Sequence, residues 1–493
     1  MDVAGCRLSR LKIYGYKNVR YGDVSFDGIR KRGSSIQGIY GQNGSGKTAV
    51  IEAIDILSLL LQGKNISHEF LDFINVDSSE TCFSYTLRFS GDSAFHEAVY
   101  EVHIREALDE AGNRYPEVYR EVLILDDTAS IDTDSILSFS AITGMDESER
   151  SSFFHSVDCW RRSSRSLLFS KIFRDVLDND SIYLNQGIEQ LRYYGMFNLL
   201  VVCNRSSDVI TLRYRTLIDG EYSFLKDDLP LKGRFPFPEI HLGDVRCSID
   251  RSNKVLNRMI PGLKLDIRNY GKNENEDGDG WVEVELMSLK NGKAIPLAAE
   301  SDGIRRLVVI VDLLVSVFMD DSVTLVIDGF DSGFSEYLWR ELLKIMSKHG
   351  HGQLIFTADN LSALGCLTVH DVTFTTINPN NRYMRMGHVD ANDNLRDFYY
   401  REIVMEEQME SLYDYMNSAE NIYSLMDAGN DLGSSCIENR NILNLIKYHA
   451  ANNEIGFCNE VYKIAREFDL AGDSDLSGYV MSLISNANTF VPQ

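Results

Sequence analysis

Eight consecutive residues constrain this chain more than any other feature: Gly41-Gln42-Asn43-Gly44-Ser45-Gly46-Lys47-Thr48. They fit G-x-x-x-x-G-K-[ST] at every fixed position. Upstream, Ser35-Ile36-Gln37-Gly38-Ile39-Tyr40 reads as a strand. Downstream, Val50, Ile51, Ile54, Leu57 and Leu61 fall at helical spacing, with Gly63 as a stop signal. Strand, glycine turn and helix in that order make a phosphate-binding loop, a context that a chance glycine-rich turn lacks. The glycines let the backbone curl so that its N–H groups face phosphate oxygens. The following helix turns its positive end to the same place. On this reading Lys47 reaches the β- and γ-phosphates of ATP, and the Thr48 hydroxyl binds Mg2+.

The 493 residues allow one large domain with insertions, or two to three domains. Residues 1–63 form a first strand–loop–helix lobe, opening with short strands at 11–14 and 24–26. Residues 64–295 read as a mixed α/β insertion. Within it, 81–90 and 97–104 alternate like paired strands, 146–200 read as helices, and strand patterns return over 210–290. A turn at 273–280 lacks EF-hand ligand spacing. Residues 296–401 read as a second lobe. It has a buried helix over 307–318 and apolar strands at 323–327 and 353–357. Between those strands lies a helix with Leu338, Leu342, Leu343 and Met346 on its apolar side. Short apolar strands alternating with helices predict an α/β fold with a mostly parallel sheet. Residues 402–493 read as a helical C-terminal region, with helices at 442–451, 460–468 and 476–485.

A net charge of −24 excludes a general polyanion binder, because phosphate contacts need clustered Lys and Arg. A local groove is still open to DNA. The densest basic patch is Trp160, Arg161, Arg162, Arg165 and Lys171, with Phe153, Phe154, Leu167 and Leu168 nearby. It reads either as a grip for nucleic acid or an acidic partner, or as a solvated helix face. Residues 403–431 hold seven acidic residues and no Lys or Arg, which suits a basic partner or a plain solvated helix. No run approaches the roughly 20 apolar residues that span a bilayer. The Met1-Asp2-Val3 start lacks a secretory signal pattern, so a cytoplasmic location without membrane attachment is expected. The eight cysteines include no C-x-x-C pair and are expected as reduced, buried thiols. No nucleophile triad is legible, and the ten histidines show no metal-ligand spacing.

Residues 41–48 as G-Q-N-G-S-G-K-T, with the upstream Leu11-Lys12-Ile13-Tyr14-Gly15-Tyr16-Lys17-Asn18, resemble the first Walker motif of ABC-type ATPases of the SMC-like and OLD-like kind. Glu300-Ser301-Asp302-Gly303-Ile304-Arg305-Arg306-Leu307 resembles a variant signature motif, and Leu325-Val326-Ile327-Asp328 the second Walker motif. Phe356-Thr357-Ala358-Asp359-Asn360 falls where this family carries its switch histidine. Within the family the chain resembles stand-alone ATPase subunits of bacterial anti-phage systems, PARIS-like or Septu-like. The resemblance implies an ATP-held homodimer. Asp328 would support Mg2+, Ser301 and Gly303 would contact the γ-phosphate of the other protomer's nucleotide, and Asp331 would cross the interface. Ser301-Asp302-Gly303 also reads as a plain helix-cap turn, and Asp328 as a strand-end turn residue.

Two positions depart from the family pattern. Gly329 stands where a catalytic glutamate is normal, and Asp359 where the switch histidine is normal. A general base contributes about 10² to 10⁴ in rate. The expectation is therefore ATP binding with slow hydrolysis, unless Asp331, Glu336 or Asp359 supplies the carboxylate. Gly329 also reads as a hinge. The function implied is an ATP-controlled scaffold or sensor for an effector such as a nuclease or toxin. The alternative is an SMC-like DNA-repair clamp or motor with DNA-stimulated hydrolysis, which the missing long heptad arms disfavour. The segment 378–383, Asn-Pro-Asn-Asn-Arg-Tyr, reads as a turn between strands.

Overall fold

In the computed structural model, the short apolar runs on both sides of the chain's middle lie together in one sheet. The structure describes residues 5–27, 35–91, 95–134, 147–170, 182–203, 209–218, 221–274, 280–290, 292–386, 394–405, 410–412, 439–450, 453–470 and 477–481. They fall into two compact units, Met1–Tyr413 and Asp414–Gln493.

The central sheet of the first unit contains β3 (Ser35–Tyr40), β8 (Leu199–Val202), β15 (Thr324–Ile327), β16 (Gln353–Thr357), β17 (Val372–Thr375) and β18 (Tyr383–Met384). Its order is β18-β17-β3-β16-β15-β8. All neighbours are parallel except β17 and β18. Such strands must be apolar on both faces, because helices cover both. Leu325 and Ile327 accordingly enter one core, and Val326 between them enters the other. Helix α1 (Lys47–Leu61) fills the second core and is buried along nearly its whole length. It ends at Gly63, whose φ of +66° lets its N–H reach Leu60 O at 2.9 Å.

An antiparallel sheet closes over the other side of α1. It runs β2-β1-β4-β5-β6-β7, from β1 (Gly5–Tyr16), β2 (Val19–Ser25), β4 (Glu80–Ser90), β5 (Glu97–Leu108), β6 (Arg114–Leu125) and β7 (Ala129–Asp132). The expected pairing of 81–90 with 97–104 is the β4–β5 ladder. Two further helices here are α2 (Glu147–Arg162) and α3 (Ile182–Tyr193). On the opposite side of the central sheet lie α4 (Leu242–Met259), α5 (Asp302–Met319), α6 (Glu336–His349) and α7 (Leu395–Met405). With them come the hairpin β9 (Val209–Ile218) and β10 (Glu221–Pro230), and a smaller sheet of β11 (Phe235–Pro238), β12 (Leu263–Glu274), β13 (Gly280–Lys290) and β14 (Lys293–Pro296).

Two sequence readings need correction. The helices expected through residue 200 stop earlier, and Leu199-Leu200-Val201-Val202 is a strand pairing in parallel with β15. A four-residue apolar run carries no period that separates strand from buried helix. Within the strand-like stretch 210–290, α4 went unread because Ser248 and Ser252 interrupt its buried stripe of Val245, Ile249 and Leu256. The turn expected at 273–280 joins β12 to β13, although its tip lies outside the described residues.

In the second unit, α8 (Asn439–Ala450) and α9 (Glu454–Leu470) pack on each other. Glu460 is buried between them and accepts hydrogen bonds from Asn444 Nδ2 at 2.9 Å and Lys463 Nζ at 2.8 Å. Residues 477–481 are helical. Most of the acidic stretch 403–431 lies outside the described residues. Among the described residues, no helix is long and apolar enough to cross a membrane.

The serines that obscured α4 have a partner. Asp312 of α5, only 3% exposed, accepts from Ser248 Oγ at 2.9 Å and Ser252 Oγ at 2.7 Å. Burial raises its carboxyl pKa, and the two hydroxyls oppose the rise. A raised folded value gives stability that is full below the unfolded carboxylate range and is lost as pH rises through the folded value. Asp312→Asn keeps an oxygen for both serines, sets an NH2 group against the Arg213 N–H that lies 3.4 Å from the other oxygen, and removes the pH-dependent loss. The difference in melting temperature between variant and wild type should therefore shift in the variant's favour from the acid range to neutral pH. A difference independent of pH, measured by thermal unfolding across pH, would contradict this account.

Candidate nucleotide site

The site begins where β3 gives out. Gly41 has φ +153°, and a Cβ there would stand 1.7 Å from Thr375 Oγ1 of β17. Gly44 and Gly46 have φ of +77° and +99°. The close approach at Gly41 and the left-handed turns at the other two are why this segment needs glycine. Gly46 is the N-cap of α1, with no side-chain cap on it. The first-turn N–H groups therefore remain for a ligand. The loop is braced from outside: Ser45 Oγ bonds Thr375 Oγ1, the Asn18 amide donates to Gly44 O, and Tyr383 OH donates to Gly46 O at 2.9 Å.

This loop forms one wall of a cleft of about 350 Å³, lined also by Lys17, Asn18, Asp328, Gly329, Thr357 and Asp359. Lys47 Nζ donates to Gly41 O at 2.8 Å and Gln42 O at 3.1 Å, and lies 3.0 Å from Asp359 Oδ1. The Thr48 hydroxyl lies 3.2 and 3.3 Å from the two oxygens of Asp328. Asp328 is 3% exposed and also accepts from Thr357 Oγ1 at 2.6 Å. Arg306 of α5 donates to the carbonyls of Asp328 and Gly329. Burial lowers its guanidinium pKa, while Asp328 and Asp331 act to raise it.

These donors fit a hard divalent cation. Octahedral Mg2+ holds oxygens at 2.0–2.1 Å, so adjacent ligands sit about 2.9 Å apart. The Thr48 and Asp328 oxygens lie within a few tenths of an ångström of that spacing. Asn43, Gly44, Gly46, Lys47, Thr48 and Asp328 all line the cleft, whereas Gly41, Gln42 and Ser45 shape the loop from behind.

Ser301, Gly303 and Asp331 do not line it. Ser301 is the N-cap of α5, 3.5 Å from Ile304 N, so the cap reading holds there. A Cβ on Gly303 would stand 3.8 Å from Gly333 Cα. Asp331 accepts from the N–H groups of Asp359 at 3.2 Å and Asn360 at 2.9 Å, tying the turn after β15 to the turn after β16. Gly329 has φ +58°, so glycine there serves a left-handed turn as well as leaving no carboxylate.

Several site residues carried no legible role in the sequence. Thr357, Arg306, Thr375 and Tyr383 are ordinary types whose partners lie far away in the chain. The 378–383 segment is indeed a turn, and it also has work at the loop. Arg382 donates to Thr376 O and Asn18 O, each at 2.7 Å, which sets Asn18 and Tyr383 against the glycines. The basic patch on α2 is largely engaged: Arg161 bonds Tyr119 O at 3.0 Å, Arg162 pairs with Glu110 at 2.8 Å, and Arg165 stacks over Trp160. Lys171 lies outside the described residues. The seven described cysteines are free thiols as expected, but only Cys6 and Cys82 are buried, and Cys159 and Cys247 are exposed. The exposed pair sits on the solvent sides of α2 and α4, which the count and spacing of cysteines do not reveal.

Tyr383→Phe should cost about 1 kcal/mol in stability through the lost bond to Gly46 O. It should also weaken nucleotide binding by loosening the loop. Gly41→Ala should remove nucleotide binding while the circular-dichroism spectrum persists, because the clash falls on the Thr375 and Ser45 side chains that brace the loop. Calorimetric titration with ATP checks both.

No family model matches this chain, and no curated protein matches it. Solved structures to which it is similar are SMC head domains and the recombination mediator protein RecF. The SMC head domain from Thermotoga maritima is 15% identical, with 78% of this chain and 100% of that one covered and a TM-score of 0.35. The Pyrococcus furiosus Smc head domain with an extended coiled coil, bound to the C-terminal domain of ScpA, is 11% identical, with coverage of 78% and 96% and a TM-score of 0.40. The recombination mediator protein RecF with ATP is 13% identical, with coverage of 72% and 94% and a TM-score of 0.35.

Proposed function

We propose that this chain is an ATP-binding ABC-type ATPase that holds its nucleotide longer than it hydrolyses it. The observation that carries the reading is the meeting of Lys47, Thr48 and Asp328 in one cleft, although Thr48 and Asp328 are 280 residues apart. The loop N–H groups and Lys47 bind and orient the phosphates. Thr48 and Asp328 would hold Mg2+, which when bound offsets phosphate charge. Gly329 offers no carboxylate to orient a water.

Asp359 adds a second restraint. Its carboxylate, 67% exposed, pairs with Lys47, the cation that the phosphates require. A solvated pair of this kind is worth at most about 1 kcal/mol, so it competes with phosphate without blocking it.

Ser301, Gly303 and Asp331 stand apart from the cleft. In this proposal they complete the site of a second copy, so that ATP joins a homodimer. The motif resemblance supports a cytoplasmic scaffold that controls an effector in anti-phage defence.

The test is ATP binding and phosphate release by wild type, Lys47→Ala, Gly329→Glu and Asp359→Asn. Wild type should bind ATP and turn over slowly, and Lys47→Ala should lose binding. Gly329→Glu should cost about 1 kcal/mol in stability, because φ is positive there, and should raise turnover if the new carboxylate reaches the water. Asp359→Asn should tighten ATP a few-fold. Wild-type turnover of several per second refutes the slow-hydrolysis reading. Turnover stimulated by DNA favours the clamp over the scaffold.

A further inference from the structure

A second group of chemically able side chains lies on β4 and β5, and none of them lines the nucleotide cleft. Thr81, Phe83 and Tyr85 of β4 are fully buried. The alternate residues, Glu80 and Cys82, therefore face the other side of the sheet. Cys82 is the cross-strand partner of His103, and Glu101 stands two residues before His103 on the same face. Cys82 Sγ lies 3.8 Å from His103 Nε2, and Glu101 Oε1 lies 2.9 Å from that nitrogen. One ligand atom from each of the three falls within 4.8 Å of the others, the one such trio among the described residues.

These spacings match a specific coordination geometry. Tetrahedral zinc, with Zn–S of about 2.3 Å and Zn–N or Zn–O of about 2.0 Å, places S and N about 3.5 Å apart and N and O about 3.3 Å apart. Both observed spacings around Nε2 are within about half an ångström of these values. The second ring nitrogen supplies an independent observation. His103 Nδ1 is buried without a hydrogen-bond partner, and Glu80 Oε1 lies 3.7 Å away. Glu80 is itself held by the Tyr119 hydroxyl. Metal-bound imidazoles donate their outer N–H to such a carboxylate, which fixes the tautomer and turns the other nitrogen's lone pair to the metal. Charge also fits: a thiolate, a carboxylate and a neutral imidazole balance a divalent cation. The adjacent cation, Arg120, is paired with Asp132 at 2.8 Å. Thiolate with imidazole selects zinc over magnesium or calcium.

We propose that Cys82, Glu101 and His103 form a zinc site, with water as the fourth ligand and Glu80 as the positioning residue behind His103. Bound metal ties β4 to β5 on the outer face of the antiparallel sheet. The ligands meet through strand pairing, which is why no sequence spacing announces them.

The test uses the full chain, reduced and stripped with a chelator, then titrated with Co2+. One equivalent should produce the visible bands of tetrahedral cobalt and a sulfur-to-cobalt charge-transfer band, and Zn2+ should displace it. Cys82→Ser should abolish the charge-transfer band, and His103→Gln and Glu101→Gln should weaken binding. Glu80→Gln should weaken it about 10- to 100-fold with the band retained. Cys159→Ser is the control, because Cys159 Sγ lies 3.7 Å from His155 Nε2 and offers the metal a thiol elsewhere. Circular dichroism confirms that each variant is folded. No charge-transfer band in folded wild type, or a band that survives Cys82→Ser, overturns the proposal. Neither result bears on the nucleotide site, whose metal ligands are oxygens.

Discussion

The carboxylate of Asp328 is the interaction on which the rest of this structure turns. A charge that is 3% exposed is costly unless its oxygens are satisfied. Here the hydroxyl of Thr48 opens α1, and that of Thr357 ends β16. The backbone is held as well: Asp328 N–H donates to Val202 O at 2.9 Å and Gly329 N–H to Thr357 Oγ1 at 2.7 Å. Four elements thus meet at one residue. Their relative register is fixed by the need to satisfy it, and the cleft is the space left beside it.

That arrangement explains what was legible in the sequence and what was not. The glycine loop, its flanking strand and its helix are encoded within 28 residues, 35–62, and their local pattern is sufficient to read. The strand ending at Asp328 was readable because the apolar run Leu325-Val326-Ile327 precedes a lone acid. Leu199-Leu200-Val201-Val202 is at least as apolar without such a mark, and only its neighbour β15 makes it a strand. Tyr383, Thr375 and Arg382 were legible as strand and turn residues, yet their contacts with the loop depend on the order β18-β17-β3, which no local window contains. Cysteine exposure was unreadable for a similar reason, since it depends on which side of α2 and α4 meets the core.

The two polar centres behind the site differ in kind. Around Asp328, hydroxyls and N–H groups converge on a carboxylate that also faces the cleft. Around Asp312, the polar set is closed: Ser248 and Ser252 occupy one oxygen, Arg213 N–H lies 3.4 Å from the other, and the Arg213 guanidinium turns to Asp320 at 2.9 Å. The first is built to exchange partners with a ligand, and the second locks α4, β9 and α5 together. Both draw on α5, which carries Ser301 at its start, Arg306 one turn in and Asp312 at its middle.

The brace from Tyr383 to Gly46 spans 337 residues of chain. During synthesis, residues 41–48 leave the ribosome long before the strand that holds them in shape. A glycine-rich loop without its clamp pays its full ordering entropy when it meets a phosphate. If the cleft takes a nucleotide as proposed, the loop meets it with its shape already set only once β18 has been made, so binding rewards a completed central sheet more than an unfinished first lobe.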